Sequence, residues 1–236
     1  MAQITVLYDN YKFDERLEDA WGISCLITGL DRTILFDTGG KAEVLQNNFE
    51  KMNVSPDSID CVVISHMHWD HINGLEWLVK ENSNLDIYLP ASATDEYIDE
   101  LKPNCKSVQR LAESKILCKG VYTTGTFEHD IPEQSLCVQT EKGLVVITGC
   151  SHPGIVRILK SVKERSGSNI EMVIGGFHLK AHQPDQIEQI VAEIKSLGVK
   201  KIGPTHCTGV EAIDASRQCW QENFVELGVG NKIVLD

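Results

Sequence analysis

Apolar positions along the chain fall into short blocks of two kinds. Compact apolar or alternating runs predict strands: ITVLYD (4–9), SCLITGL (24–30), TILFDTG (33–39), DCVVISH (60–66), DIYLP (86–90), EMVIGG (171–176), KKIGPTH (200–206) and KIVLD (232–236). Between them, apolar residues recur at intervals of three and four and predict helices over 41–52, 74–82, 92–101, 184–198 and 209–226. The span 184–198 is the plainest: Ile187, Ile190, Val191, Ile194 and Leu197 share one face, and Gly198 lies at its end. Pro153 is placed to open a further helix running to about Arg165. SLCVQTEKGLVVITG (135–149) reads as a hairpin turning at Glu141, Lys142 and Gly143. From about 102 to 135, Pro103, Gly120, Gly125 and Pro132 break the pattern into short strands and loops.

Strands interleaved with helices predict α/β layers. A chain of 236 residues suits a single domain over 1–236, and 42% hydrophobic with 24% charged residues is ordinary globular composition. No apolar window is long enough for a membrane helix, and MAQITVLYDN has no basic segment followed by an apolar run, so the expectation is a cytoplasmic protein with no membrane partner. The eight cysteines are scattered, without a CxxC pair, and several lie in apolar strands; they read as buried free thiols in a reducing compartment. The formal charge of −12 repels nucleic-acid backbones, so a nucleic-acid partner is not expected. An acidic chain that handles an anionic small molecule needs cations to offset its own charge.

The candidate chemistry lies where strands end. DCVVIS runs into His66, LVVITGCS into His152, EMVIGGF into His178, KKIGPT into His206 and TILF into Asp37. In layered α/β folds, sites gather at the carboxyl ends of strands. SHMHWDH (65–71) adds His68, Asp70 and His71 to His66 within one expected loop, and Gly74 gives that loop room to enter the next helix. His66 and His68, two apart, can face one cation, while Asp70 and His71 turn toward a neighbouring one. Imidazole and carboxylate donors suit zinc, with manganese or iron as alternatives.

These stretches resemble the metallo-β-lactamase superfamily, in chain order: ILFDTGG (34–40), SHMHWDHINGL (65–75), TGCSHPGI (148–155), IGGFHL (174–179) and PTHCTG (204–209). The last three are similar to a narrower group, the metal-dependent hydrolases named as dihydropterin-ribofuranosylaminobenzene-phosphate synthase-like. The resemblance implies a four-layer αββα sandwich with two divalent cations at one edge, zinc first. It implies that His66, His68 and His152 hold one cation, that Asp70, His71 and His206 hold the other, and that Asp37 orients a ligand histidine. The superfamily's bridging aspartate has no counterpart in GGFH (175–178), so His178 is a substitute ligand, or a substrate contact, or leaves the second cation weakly held.

The implied activity is hydrolysis of a phosphoester or other anionic small molecule by a metal-bound hydroxide, with His178 or Asp70 as the proton donor to the leaving group. Three other readings stand beside it. A di-iron redox protein on this fold is disfavoured because such relatives place a carboxylate where His68 stands. The missing bridging aspartate favours a metal-loaded sensor or binding module, and the subgroup's name suggests a synthase in pterin biosynthesis. Cys150 and Cys207, each next to a candidate ligand, are read first as small buried residues packing beneath the site, with a metal or substrate contact as the alternative. Asp9 and Asn10 either reach the rim or form a turn; Trp69 either lines the pocket or covers the loop. His129 is expected at the surface, and His182 in a polar loop with a weak claim on the site.

Overall fold

A computed structural model describes residues 1–235; Asp236, the last residue of the strand expected over 232–236, lies outside them. Thirteen strands, numbered in chain order, form two sheets. The first holds β1 (Ala2–Tyr8), β2 (Ser24–Thr28), β3 (Ile34–Phe36), β4 (Cys61–Val63), β5 (Asp86–Pro90), β6 (Ser107–Leu111) and β13 (Lys232–Leu235), in the order β13-β1-β2-β3-β4-β5-β6. The second holds β7 (Glu113–Cys118), β8 (Val121–Gly125), β9 (Leu136–Gln139), β10 (Leu144–Thr148), β11 (Ile170–Gly176) and β12 (Lys201–Thr205), in the order β12-β11-β10-β9-β8-β7. Strands β3 to β6 run parallel, as do β10 to β12.

Burial explains why the central strands are apolar at every position. Cys61 and Val63 face the space between the sheets with Phe36, Val145, Ile147 and Ile174. Their neighbour Val62 faces outward, against Leu45 and Phe49 of α1 (Ala42–Lys51) and Leu78 of α3 (Leu75–Glu81). On the second sheet Val146 and Val173 meet Ile158 of α5 (Ile155–Ser166), Ile194 of α6 (Pro184–Ser196) and Trp220 of α7 (Val210–Trp220). Helices therefore cover the outer face of each sheet, giving the four layers αββα, and parallel strands buried on both faces lose the polar alternation of a half-exposed sheet.

Local departures from the pattern have physical causes. Helix α5 begins at Ile155, not at Pro153, because Gly154 takes φ 96° and closes a turn onto Ser151 through a 2.8 Å backbone hydrogen bond. The helix expected over 209–226 ends at Trp220: Gln221 has φ 50°, and the chain then runs extended, with Val225 donating to Ile202. The expected loop at 65–71 contains a helical turn, α2 (Trp69–Ile72), which carries Asp70 and His71. The span 102–135 crosses from one sheet to the other between Leu111 and Glu113. Its strands β6 and β7 are sheet edges with polar, exposed residues, so they carry little hydrophobic signal.

Candidate metal centre

The ends of β3, β4, β10, β11 and β12 converge, and each sharp exit from a strand bends the backbone. Six described non-glycine residues have positive φ, and four of them are Asp37 (58°), Ser151 (65°), His178 (54°) and His206 (53°) at these ends. Left-handed backbone costs an L-residue about 1–2 kcal/mol, and such strain concentrates where side chains must be aimed. Glycine serves where backbones meet most closely. A Cβ at Gly149 would strike Ser65, and one at Gly176 would lie 2.6 Å from Cys207 Sγ.

Two groups of donors face the same space. His66, His68 and His152 place one ligand atom each within 4.8 Å of one another, and so do Asp70, His71 and His206. His66 Nε2 lies 3.1 Å from His68 Nδ1, and the rings of His66 and His152 are 4.5 Å apart. In the second group Asp70 Oδ2 is 3.6 Å from His71 Nε2 and 3.3 Å from His206 Nε2. His66, Asp70, His71 and His206 are all buried.

A polar residue behind each of His71, His206 and His152 fixes which nitrogen faces inward. Asp37 Oδ2 accepts from His71 Nδ1 at 2.7 Å, while Ser65 donates to both Asp37 oxygens through its backbone N–H and hydroxyl. Asn10 accepts from His206 Nδ1 with Oδ1 and donates to the His206 carbonyl with Nδ2, both at 3.0 Å. Asp9 accepts from Thr205 beside it. His152 Nδ1 is held by Glu133 Oε2 at 3.0 Å. Glu133 also accepts from the backbone N–H groups of Cys150, Ser151 and His152.

Glu133 is the functional residue that sequence reasoning missed. It is fully buried, yet it sits in the stretch without a hydrophobic period, directly after Pro132, and nothing in its neighbours marks it. Burial alone would raise its pKa, but the hydrogen bond from His152, the facing His66 and the backbone donors hold it well below the usual carboxylate range.

Burial holds His66, His68 and His71 toward the neutral form, whereas in His206 burial is overcome by the facing Asp70, which raises the pKa. Burial, reinforced by His71, holds His66 well below its ordinary value; burial holds His71 down to about 3. Burial also raises Asp37, against the hydrogen bonds from Ser65. Asp70 would likewise be raised by burial, but the imidazoles of His206 and His71 facing it keep it well below the carboxylate range.

The remaining candidates divide. His178 is exposed, its ring 4.4 Å from that of His152, and it forms a possible donor group with Cys150 and His152. The end of β11 brings no carboxylate to that place. Cys150 and Cys207 are buried, as expected, and of the two alternatives the contact reading gains an observation: Cys150 Sγ is 3.4 Å from His71 Nε2. Trp69 is exposed beside Gly40, and Trp21 lies 5.0 Å from His206 at a tilt of 51°, with Lys180 Nζ 4.9 Å from its ring centre. His182 lines a cavity of about 180 Å³ with His152, Phe177 and His178, whereas His129 is at the surface, away from the cluster. A larger cavity of about 350 Å³, lined by Tyr122, Phe127 and Arg165, shares no residue with the donors.

The donors fit a cation. His206 Nε2 is buried, has no hydrogen-bond partner and points toward Asp70, an arrangement that leaves a lone pair unsatisfied without a cation. The same αββα arrangement, over the whole of both chains, occurs in Tm1679, a solved structure named as a metal-dependent hydrolase of the beta-lactamase superfamily, at TM-score 0.83 and 30% identity. The chain belongs to the metallo-β-lactamase superfamily.

Within that superfamily it is similar to the 7,8-dihydropterin-6-methyl-4-(beta-D-ribofuranosyl)-aminobenzene-5'-phosphate synthase of Methanocaldococcus jannaschii, at 32% identity over 90% of this chain and 89% of that protein. The metallo-beta-lactamase fold protein YhfI from Bacillus subtilis shares the superfamily fold at TM-score 0.72 and 19% identity, covering 99% of this chain and 100% of its own. A family model described as Anti-Pycsar protein Apyc1 matches residues 16–104. No helix among the described residues is long and apolar enough to cross a membrane.

Proposed function

We propose that this protein is a dinuclear metal-dependent hydrolase of a phosphoester or another anionic small molecule. The observation that carries this reading is the meeting of two donor triads, His66/His68/His152 and Asp70/His71/His206, in one buried pocket. The first triad would hold one divalent cation and the second another, with zinc favoured by the imidazole-rich donor set and manganese or iron as alternatives. When bound, such a pair supplies Lewis acidity toward the electrophilic oxygen and lowers the pKa of water.

The chain's own residues do the rest. Asp37, Asn10 and Glu133 hold the imidazoles in the tautomers that leave His71, His206 and His152 Nε2 inward. Trp21 and Trp69 offer exposed rings beside the site, and Lys180 a cation for an anionic substrate. Of the two expected proton donors, Asp70 is held ionised. His178 is accessible, and its hydrogen bond with Cys207 raises its pKa, so we assign the leaving-group proton to it.

A second reading has its own support. The relative named as a synthase aligns over 90% of the chain, and the exposed tryptophans suit a planar ring, so transfer to a non-water acceptor uses the same geometry. Cation analysis coupled to a screen of phosphomonoesters, phosphodiesters, thioesters and lactones tests the first reading. Two bound cations with turnover, lost in a folded His68→Ala protein, support hydrolysis. A single tightly held cation with no turnover refutes it in favour of a sensor.

A further inference from the structure

The two triads supply three donors each, and only one of the six, Asp70, carries a negative charge. Two dications against a single ligand carboxylate leave an excess of positive charge that Glu133, behind His152, offsets only in part, and such an excess is expensive away from water. A further anionic donor, reachable from both triads, would reduce that charge. One atom has the required position. Cys150 Sγ falls within 4.8 Å of ligand atoms of His66 and His71 together, again of His152 and His178, and again of His206 and Cys207. His66 and His152 belong to the first triad, His71 and His206 to the second.

The geometry points to Cys150 as a thiolate donor shared between the two cations. Its sulfur lies among ring nitrogens: His71 Nε2, turned inward by Asp37 on the opposite nitrogen, is 3.4 Å away. In the cation-free protein the Cys150 S–H donates to that inward lone pair, which aligns the sulfur with a donor of the second triad. His206 Nε2, buried and without a hydrogen-bond partner, is a second group aimed into the same space.

The backbone of Cys150 is fixed as firmly as a ligand requires, by donation of its N–H to Glu133 Oε1 at 2.9 Å. Gly176 lets the end of β11 press against this turn, since a Cβ there would lie 3.2 Å from Cys150 Cα. Cys207 is the weaker candidate, because its sulfur groups with Cys150 and His206 but with no donor of the first triad. Thiolate is a strong ligand for zinc and cobalt, and binding releases the thiol proton to solvent.

This inference rests on the two-cation reading, and a Co(II) titration of the reduced full-length protein separates the two. The expected result is uptake of two Co(II) with a sulfur-to-cobalt charge-transfer band in the near ultraviolet. Cys150→Ser is expected to lose that band and to bind the weaker cation on the order of a hundredfold less tightly. Cys150→Asp is expected to restore two-cation binding without the band, and Cys207→Ser to keep both. Circular dichroism establishes that each variant is folded. Two Co(II) bound without the band, or a band that survives Cys150→Ser, overturns the shared thiolate and leaves the two-cation reading standing. Uptake of one Co(II) by the unaltered protein overturns both.

Discussion

Glu133 accepts the backbone N–H and the Nδ1–H of His152 with a single carboxylate oxygen, at 2.8 and 3.0 Å. One buried side chain thereby sets both the position of the turn after β10 and the orientation of the imidazole that the turn presents. Asp37 does the equivalent for His71 from the opposite sheet.

Glu133→Gln removes the charge while keeping the shape. Cation affinity at the first triad is expected to fall roughly 10–100-fold. Stability should drop by about 1–3 kcal/mol, because the backbone donors of Cys150, Ser151 and His152 lose a charged acceptor. Cation titration and urea unfolding read the two effects, and a variant matching the parent in both would remove Glu133 from the site.

Asn10→Ala frees His206 Nδ1 and its carbonyl together. The second cation is expected to bind roughly 10–100-fold more weakly, with the first unaffected. Asn10→Asp keeps the acceptor and should retain most of the affinity. Equal weakening of both cations in the alanine variant would show that Asn10 acts on the whole fold.

In the cation-free protein, stability should decline on acidification. Burial holds His71 down to about 3 from 6.5, so below 6.5 the unfolded chain gains a proton that the folded chain refuses. That contribution is complete above 6.5 and is lost as pH falls toward 3. Asp9 works in the opposite sense: burial pushes it up to about 6 from 3.8, so its contribution is complete below 3.8 and shrinks as pH rises through 6. His206, raised against burial by the facing Asp70, works in the same sense as Asp9, but His66 is held well below its ordinary value like His71, and these two are expected to dominate. The melting temperature of chelator-treated protein is expected to fall from about pH 7 to about pH 5, and more steeply in Asp9→Asn. A flat or rising profile toward acid contradicts this assignment.

Gly74→Ala introduces a purely steric fault, since Gly74 has ordinary helical φ and ψ of −79° and −13°. The new methyl group would run into Thr38 O and Leu45. Overpacking of this kind costs about 1–3 kcal/mol. Thr38 donates to the His71 carbonyl through both N–H and hydroxyl, so the displacement also reaches a ligand. Urea unfolding measures the loss; a variant as stable as the parent would show that α3 moves aside freely.

Much of this architecture was readable in advance, for a physical reason. Parallel strands buried on both faces, such as Cys61–Val63 and Leu144–Thr148, are apolar throughout, and their ends carry the histidines. The superfamily resemblance lay in those same strand ends. What escaped notice depended on distant contacts. Glu133 is hidden in an aperiodic stretch, and its role exists only because β10 brings His152 to it. The sulfur of Cys150 looks like core filling until His71 is placed opposite. The helical turn at Trp69–Ile72 is too short to show a period. Gln221 stops α7 through a backbone angle that no neighbouring residue announces.

The pairing of Asn10 with His206 spans 196 residues. A ribosome making this chain would present His66, His68, Asp70 and His71 long before their partners at 152 and 206 exist, and before β1 has its place beside the closing strand β13. The nascent half offers loose imidazoles that any passing transition metal can seize. Correct loading would then have to wait for His206, and a filled pocket would certify that segments 196 residues apart in the chain have found each other.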